Sequence, residues 1–248
     1  MNASKTIIIP DLHGREFWRR AVMNLREDTR VVFLGDYMDP YEDDWIYWSD
    51  AFKSLQDILA FKKTHPDQVT LLFGNHDLHY LYPVLKGSRY NEYQERRMRK
   101  FFTDNLDAFQ MAYEQRSAGR HYLFTHAGVN RRWLEKHRCL FGNAGEINAE
   151  TFNQLMFTEE FINALSDVSP WRCGKAVAGS MIWADVCEFE YESAMLPHVI
   201  QIFGHSRQSD VPRVIDGKVY CLDCQCAFYF NEDGVINKYI NESDGNQI

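Results

Sequence analysis

The sequence predicts an α/β fold in which two packed β-sheets carry helices on their outer faces, and three patterns lead there. First, five short apolar, β-branched runs at residues 6–9, 30–34, 69–73, 121–124 and 199–203 are too short for helices and too continuous for half-exposed strands. They read as buried strands. Second, helical periodicity fills the gaps between the first three. Phe17, Ala21, Val22 and Leu25 share one face, and Phe52, Leu55, Leu59 and Phe61 another, which gives β-α-β-α-β with parallel pairing and right-handed crossovers. Third, the C-terminal stretch carries two hairpin signals: Asp216-Gly217 between runs at 211–215 and 218–222, and Asp233-Gly234 between 227–231 and 235–240. These predict an antiparallel meander of four strands. A parallel half followed by an antiparallel half packs as two sheets with helices outside.

Two intermediate segments are less regular. Residues 40–50 (PYEDDWIYWSD) form an acidic, aromatic loop or helix start, and residues 90–109 are expected to form a long helix on which Arg96, Arg97, Arg99 and Lys100 crowd together. Charge runs on helices are usually solvated faces, and interleaved aromatics usually pack on the body, so both are expected to be structural.

With 248 residues, 45% hydrophobic and 15% aromatic, the chain is long enough for a full core and is expected to form one domain over 1–248. A net charge of -8 argues against a general polyanion binder, because nonspecific nucleic-acid affinity comes mainly from Lys and Arg on phosphates. Nucleic acid is therefore not an expected partner, and no segment approaches the length of a membrane span. Residue 1 leads through a short polar stretch into the first expected strand without the apolar core of a signal peptide. Most of the six cysteines are scattered, which fits a reduced, cytoplasmic chain. The sequons at Asn2 and Asn241 carry no weight without a secretory route. Nothing in the composition sets an oligomeric state.

Five strings end these hydrophobic runs in metal-binding side chains: DLHG (Asp11, His13), GDYMD (Asp36, Asp39), GNHD (Asn75, His76), THAG (His126) and GHS (His205). Parallel strands that deliver Asp, His and Asn from their C-terminal ends into one pocket suggest a two-metal hydrolase centre. Asp11 and His13 are one residue apart as the first strand ends, and a carboxylate at Asp36 is suited to bridge two divalent ions about 3.5–4 Å apart. The mixed His/Asp/Asn set points to Mn²⁺, with Fe or Zn²⁺ as alternatives, rather than to a thiolate zinc site. Cys221, Cys224 and Cys226 include a C-x-x-C spacing, but no second pair stands at a suitable distance, and their position on an expected strand favours buried packing. His65, His79, His121, His137 and His198 read as surface or hydrogen-bonded histidines. His79, one helical turn past His76, is also a candidate to line the pocket.

These strings resemble the calcineurin-like metallophosphoesterase superfamily, most of all its phosphoprotein phosphatase branch and the related bacterial dinucleoside-tetraphosphatase-like enzymes. Further segments carry the resemblance across nearly the whole chain. Phe124-Thr-His-Ala-Gly-Val is similar to the F-x-H-[GA]-G segment, Met181-Ile-Trp-Ala-Asp to L-L-W-x-D, and Cys221-Leu-Asp-Cys to the later I-D-T-G strand. The resemblance implies a four-layer α-β-β-α sandwich of two mixed sheets. It also implies two divalent metal ions, one held by Asp11, His13 and Asp36, the other by Asp36, Asn75, His126 and His205. A water held between them would be the nucleophile, His76 the general acid, and Asp39 the carboxylate that orients it.

Two departures from the family pattern bear on substrate. The phosphoprotein phosphatases continue the second motif as Asp-Arg-Gly, and that Arg grips the phosphate; here Pro40 follows Asp39. Arg207, Arg89 or one of the group at 96–99 are the candidates to replace it, and Asp223 is a candidate to support the ligands. In GHSR, Arg207 stands where phosphodiesterases and nucleases of the superfamily have a second His, which favours the phosphatase side. The expected function is a metal-dependent phosphoester hydrolase of the serine/threonine-phosphatase-like kind acting on a phosphorylated small molecule, nucleotide or phosphoprotein. A dinucleoside polyphosphate (phosphoanhydride) hydrolase and a non-catalytic interaction module on the same fold are the alternatives.

Overall fold

The computed structural model describes residues 5–117, 119–141, 148–231 and 233–239. The sequons at Asn2 and Asn241 and Ile240, the last residue of the final expected strand, lie outside them.

The N-terminal pattern folds as its periodicity dictates. β1 (Lys5–Ile9), β2 (Thr29–Phe33) and β3 (Val69–Leu72) pair in parallel, joined by α1 (Phe17–Val22) and α2 (Trp48–Thr64). α2 buries Phe52, Leu55, Ile58 and Leu59, one stripe of an amphipathic helix. α1 ends before Leu25. A single turn, α3 (Asn75–Leu78), follows β3. Next come α4 (Glu95–Thr103), β4 (Phe109–Gln110), β5 (Tyr113–Ser117) and β6 (Arg120–Phe124). Three helices succeed them: α5 (Arg131–Lys136), α6 (Ala149–Leu155) and α7 (Glu159–Leu165). The chain then runs through β7 (Ile200–Phe203), β8 (Arg213–Ile215), β9 (Val219–Cys221), β10 (Phe228–Asn231) and β11 (Ile236–Lys238).

Two mixed sheets result, one of six strands in the order β11-β10-β1-β2-β3-β4 and one of five in the order β5-β6-β7-β9-β8. Strand alternation divides the core between them. Ile8, Val32, Leu34 and Leu72 pack with Tyr122, Phe124 and Ile202 in one cluster, while Ile7, Ile9, Val31, Phe33 and Leu71 join the cluster that includes the buried residues of α1 and α2. On the second sheet, Phe203, Val219 and Cys221 pack with Val186 and Phe189 of the 3-10 segment Val186–Glu190. The expected α/β sandwich is thus present. No helix among the described residues is long and apolar enough to cross a membrane.

Two expectations need correction, and two strands were not expected at all. Both hairpins form, β8 with β9 and β10 with β11, but they do not make one meander. β9 lies parallel to β7 in the second sheet, whereas β10 lies antiparallel to β1 in the first. Turn residues specify only the pair they join; Phe228 and Phe230 are carried to the first sheet because they fill the inter-sheet core, where Phe230 stacks on Tyr122 at 4.9 Å. The long helix expected over 90–109 is also cut short. The Asn91 side chain accepts the Tyr93 N–H and opens a 3-10 turn, and Asn105 donates to the Phe101 carbonyl as α4 ends, both local bonds that compete with a continuing helix. Lastly, β4 and β5 escape the reading because β4 has two residues and β5 is a half-exposed edge strand of polar composition.

Candidate metal centre

Each of the five strings sits where the sequence reading places it, just past the C-terminal end of β1, β2, β3, β6 or β7. The chain must turn sharply there, and it does so through side-chain-bearing residues rather than through glycine alone. His13, Asp36, Asp39 and His205 have φ of 46°, 55°, 60° and 61°, in the left-handed region that L-residues seldom adopt. Gly74 and Gly204 serve a different purpose. A Cβ on Gly74 would overlap Asp36 Oδ1, and one on Gly204 would overlap Asp11 Oδ2. Gly74→Ala is therefore expected to displace the Asp36 carboxylate and lower metal content per chain with the fold retained, measurable by elemental analysis beside circular dichroism.

Asp36 is the centre of the arrangement. Its Oδ2 lies 3.5 Å from His13 Nε2 and 3.5 Å from His126 Nε2, with all three side chains buried. The tautomers of both rings follow from their other nitrogens. His13 Nδ1 faces the Met38 carbonyl at 2.8 Å and His126 Nδ1 the Leu34 carbonyl at 2.9 Å. A carbonyl only accepts, so in the neutral ring the proton sits on Nδ1 and Nε2 presents a lone pair. Around His126 Nε2 stand Asn75 Oδ1 at 2.9 Å and His205 Nδ1 at 3.1 Å. A lone pair facing a carboxylate and an amide oxygen is a repulsive set for hydrogen bonding and a suitable one for a divalent cation. The ligand atoms of His13, Asp36 and His76 lie within 4.8 Å of one another, and so do those of Asp36, His126 and His205; Asp36 belongs to both sets.

The electrostatics agree. Burial pushes the Asp11 carboxyl well above its ordinary range, with Asp223 and Asp36 adding to it, and burial pushes Asp36 the same way, with Asp77 adding. Burial likewise drives His13, His126 and His205 below the ordinary imidazole value, His126 to about 3. Carboxylates and neutral imidazoles are the forms that bind a metal, and a cation favours both.

Asp11 takes a different position from its neighbours. It is buried at the centre, but its carboxylate receives the backbone N–H of His205 on both oxygens and belongs to neither ligand set. It ties the first string to the last.

His76 Nδ1 lies 2.9 Å from Asp39 Oδ2, and its Nε2 points toward the pocket. Burial lowers His76 to about 4, against the opposing pull of Asp39. Burial alone would raise Asp39, but hydrogen bonds from His76 and His79 carry it below its ordinary value. His79 is fully buried with Nε2 2.8 Å from Asp39 Oδ2, so it backs Asp39 instead of lining the pocket. Tyr80, which the sequence reading missed, donates to Asp39 Oδ1 at 2.5 Å. Asp77, the last residue of GNHD, accepts the backbone N–H groups of Asp36, Tyr37 and Gly74 at 2.8–3.2 Å and ties the second string to the third.

The arginine candidates separate. Arg89 Nη2 stands 2.9 Å from His76 Nε2. Arg207 is exposed, its guanidinium 5.0 Å from the centre of the Tyr41 ring. Two of the 96–99 group serve structure: Arg97 lies over Phe52 at 4.3 Å, and Arg99 bonds Glu95 and the Leu81 carbonyl. Asp223 is buried and raised by burial to about 6, with Arg15, Arg207, Arg172 and Arg89 opposing the shift. Arg172, a further omission, donates to the His205 carbonyl at 3.2 Å and to Ser206 Oγ at 2.9 Å. Cys221 Sγ packs against the Gly204 and Ser206 carbonyls at 3.3 and 3.1 Å, and no cysteine joins a metal-binding group among the described residues.

Comparison with known proteins follows the same lines. A model of the calcineurin-like phosphoesterase family matches residues 4–206, which contain all five strings. No functionally curated protein matches the sequence. Among solved structures, the cold-active protein-tyrosine phosphatase of the psychrophile Shewanella sp. has a TM-score of 0.63 at 14% identity, covering 96% of this chain and 80% of that one. A protein serine/threonine phosphatase from Saccharomyces cerevisiae with similarity to human phosphatase PP5 has a TM-score of 0.55 at 13% identity, covering 96% and 80%. At such identities the likeness is one of fold. The family match, running from the first strand through the last of the five strings, places the chain in the calcineurin-like phosphoesterase family as a metal-dependent phosphoester hydrolase.

Proposed function

We propose that this chain hydrolyses phosphomonoesters at a centre of two divalent ions, in the manner of a serine/threonine-type phosphatase. The observation that carries the reading is the position of Asp36 Oδ2, 3.5 Å from each of two imidazole lone pairs, which is where a bridging oxygen belongs. His13 and Asp36 would hold one ion, joined by Asp11, whose carboxylate here accepts the His205 N–H; Asp36, Asn75, His126 and His205 would hold the other. Mn²⁺ suits this mixed oxygen and nitrogen set, with Fe or Zn²⁺ as alternatives. When bound, such ions activate a water and neutralise phosphoryl charge.

The chain's own residues do the remainder. His76 offers Nε2 toward the pocket while Asp39 holds Nδ1, so the ring can deliver a proton to the leaving oxygen and Asp39 stabilises its cationic form. Burial keeps that ring neutral at rest; an arriving phosphoryl anion favours its protonation. His79 and Tyr80 hold Asp39 in place from behind. Asp223 and Arg207 complete the surroundings as support.

Purified protein assayed with and without Mn²⁺ on an aryl phosphate and on a dinucleoside polyphosphate tests this reading. Mn²⁺-dependent turnover of the aryl phosphate is expected. Turnover of the dinucleoside polyphosphate alone would replace it with a phosphoanhydride hydrolase, and turnover of neither, with metal bound, would overturn it.

A further inference from the structure

Position 40 is proline and offers neither charge nor N–H to a phosphoryl group. The residue after it changes the mouth of the site. The Tyr41 ring lies edge-on to the His13 ring, with centroids 5.0 Å apart and an interplanar angle of 80°. On its face sits the Arg89 guanidinium, with Cζ 3.5 Å from the ring centre. We propose that Arg89, shelved on Tyr41, is the residue that grips the phosphoryl group; this rests on the phosphatase reading above.

Position supports it first. Arg89 Nη2 reaches His76 Nε2 at 2.9 Å and stands 3.4 Å from His13 Nε2, so the guanidinium brackets the place that a leaving oxygen must approach to take a proton from His76. Unused bonding capacity supports it next. Arg89 Nε and Nη1 are buried and have no hydrogen-bond partner, a costly state for charged donors. A planar fork with free donors matches phosphate oxygens in pairs. The backbone adds a third observation. Arg89 has φ 57°, a strained conformation that persists where the surroundings impose it. Two residues on, the Asn91 N–H bonds Tyr80 Oη at 3.3 Å, and Tyr80 in turn donates to Asp39. The segment carrying Arg89 is thereby fastened to the carboxylate that orients His76.

Of the other cations near the mouth, two are ion-paired elsewhere and one lies farther out. Arg15 is paired with Asp44 at 2.6 Å. Arg172 holds the His205 carbonyl and Ser206 and pairs with Asp185 at 3.1 Å. Arg207 is exposed and lies farther from Tyr41 than Arg89 does.

The test is inorganic phosphate titrated calorimetrically into the Mn²⁺-loaded full chain, alongside turnover of 4-nitrophenyl phosphate. Arg89→Ala is expected to raise both the phosphate Kd and KM by roughly 10 to 10²-fold at equal metal content. Arg89→Lys should recover part of the loss, since it restores charge without the fork. Tyr41→Ala should share the loss by freeing the guanidinium. If the Ala variant does not fold, Arg89→Gln, which keeps comparable length and one donor, takes its place with the same expected direction. Wild-type phosphate affinity in Arg89→Ala at equal metal content overturns the proposal, and so does an Arg207→Ala variant that carries the whole loss. Failure of the phosphatase reading looks different: wild-type protein with ions bound and no phosphoester turned over, in which case the phosphate Kd values still decide the role of Arg89.

Discussion

His76→Ala is expected to slow hydrolysis of an alkyl phosphate by roughly 10²–10⁴-fold while metal content stays at the wild-type level. His76 Nδ1 is tied to Asp39 and its Nε2 meets Arg89, so on the proposed ligand assignment removing the ring takes away a proton donor and leaves the metal ligands in place. The effect should depend on the leaving group. An aryl phosphate such as 4-nitrophenyl phosphate expels a stable anion and needs little protonation, whereas an alkyl alcohol needs all of it. Parallel rates on both substrates for wild type and variant measure the difference directly. Equal losses on the two would remove His76 from the general-acid role, and a fall in metal content would make it a ligand instead.

Asp36→Asn is expected to be more severe in activity and milder in stability. Asn preserves the shape beside Gly74 and an oxygen for the His76 backbone N–H, which Asp36 Oδ1 accepts at 2.9 Å. What it removes is the negative charge between His13 and His126. Activity should fall by more than about 10³-fold, because both ions would lose their shared ligand. The metal-free protein should melt no lower than wild type. Burial and the neighbouring Asp77 already push Asp36 above the ordinary carboxylate range, so neutralising it relieves an unfavourable charge. Elemental analysis and thermal melts in chelator check the two halves separately. Undiminished metal binding would refute the bridge; a marked drop in metal-free melting temperature would show that the carboxylate serves the fold.

The five strings are legible in the sequence because each follows an apolar run, and strand-end placement is a local consequence of that run. His126 and His205 are 79 residues apart in the chain yet their nitrogens meet at 3.1 Å, since β6 and β7 are adjacent and parallel. What stays hidden depends on contacts without period or motif. Tyr80 and His79 look like ordinary core residues until both are seen to converge on Asp39. Tyr41 reads as part of an acidic, aromatic loop, and only its ring position against Arg89 distinguishes it. The pairing of β10 with β1 is likewise decided by where Phe228 and Phe230 find partners across the sheets, which no turn signal encodes.

The left-handed residues at the strand ends have a consequence for how this protein tolerates change. His13, Asp36, Asp39, Arg89 and His205 each hold a backbone shape that glycine adopts freely, at a strain of about 1 kcal/mol or more apiece. A laboratory lineage selected only for heat resistance could relieve that strain with glycine only where the lost side chain leaves no buried partner behind, which Asp39, bonded to His76 and Tyr80, does not allow, and on the proposed function each such change would also cost a side chain of the site. Thermal selection and catalytic selection pull this chain in opposite directions at the same few positions, so improvement of one has to be sought in the sheets and helices, away from the strand ends.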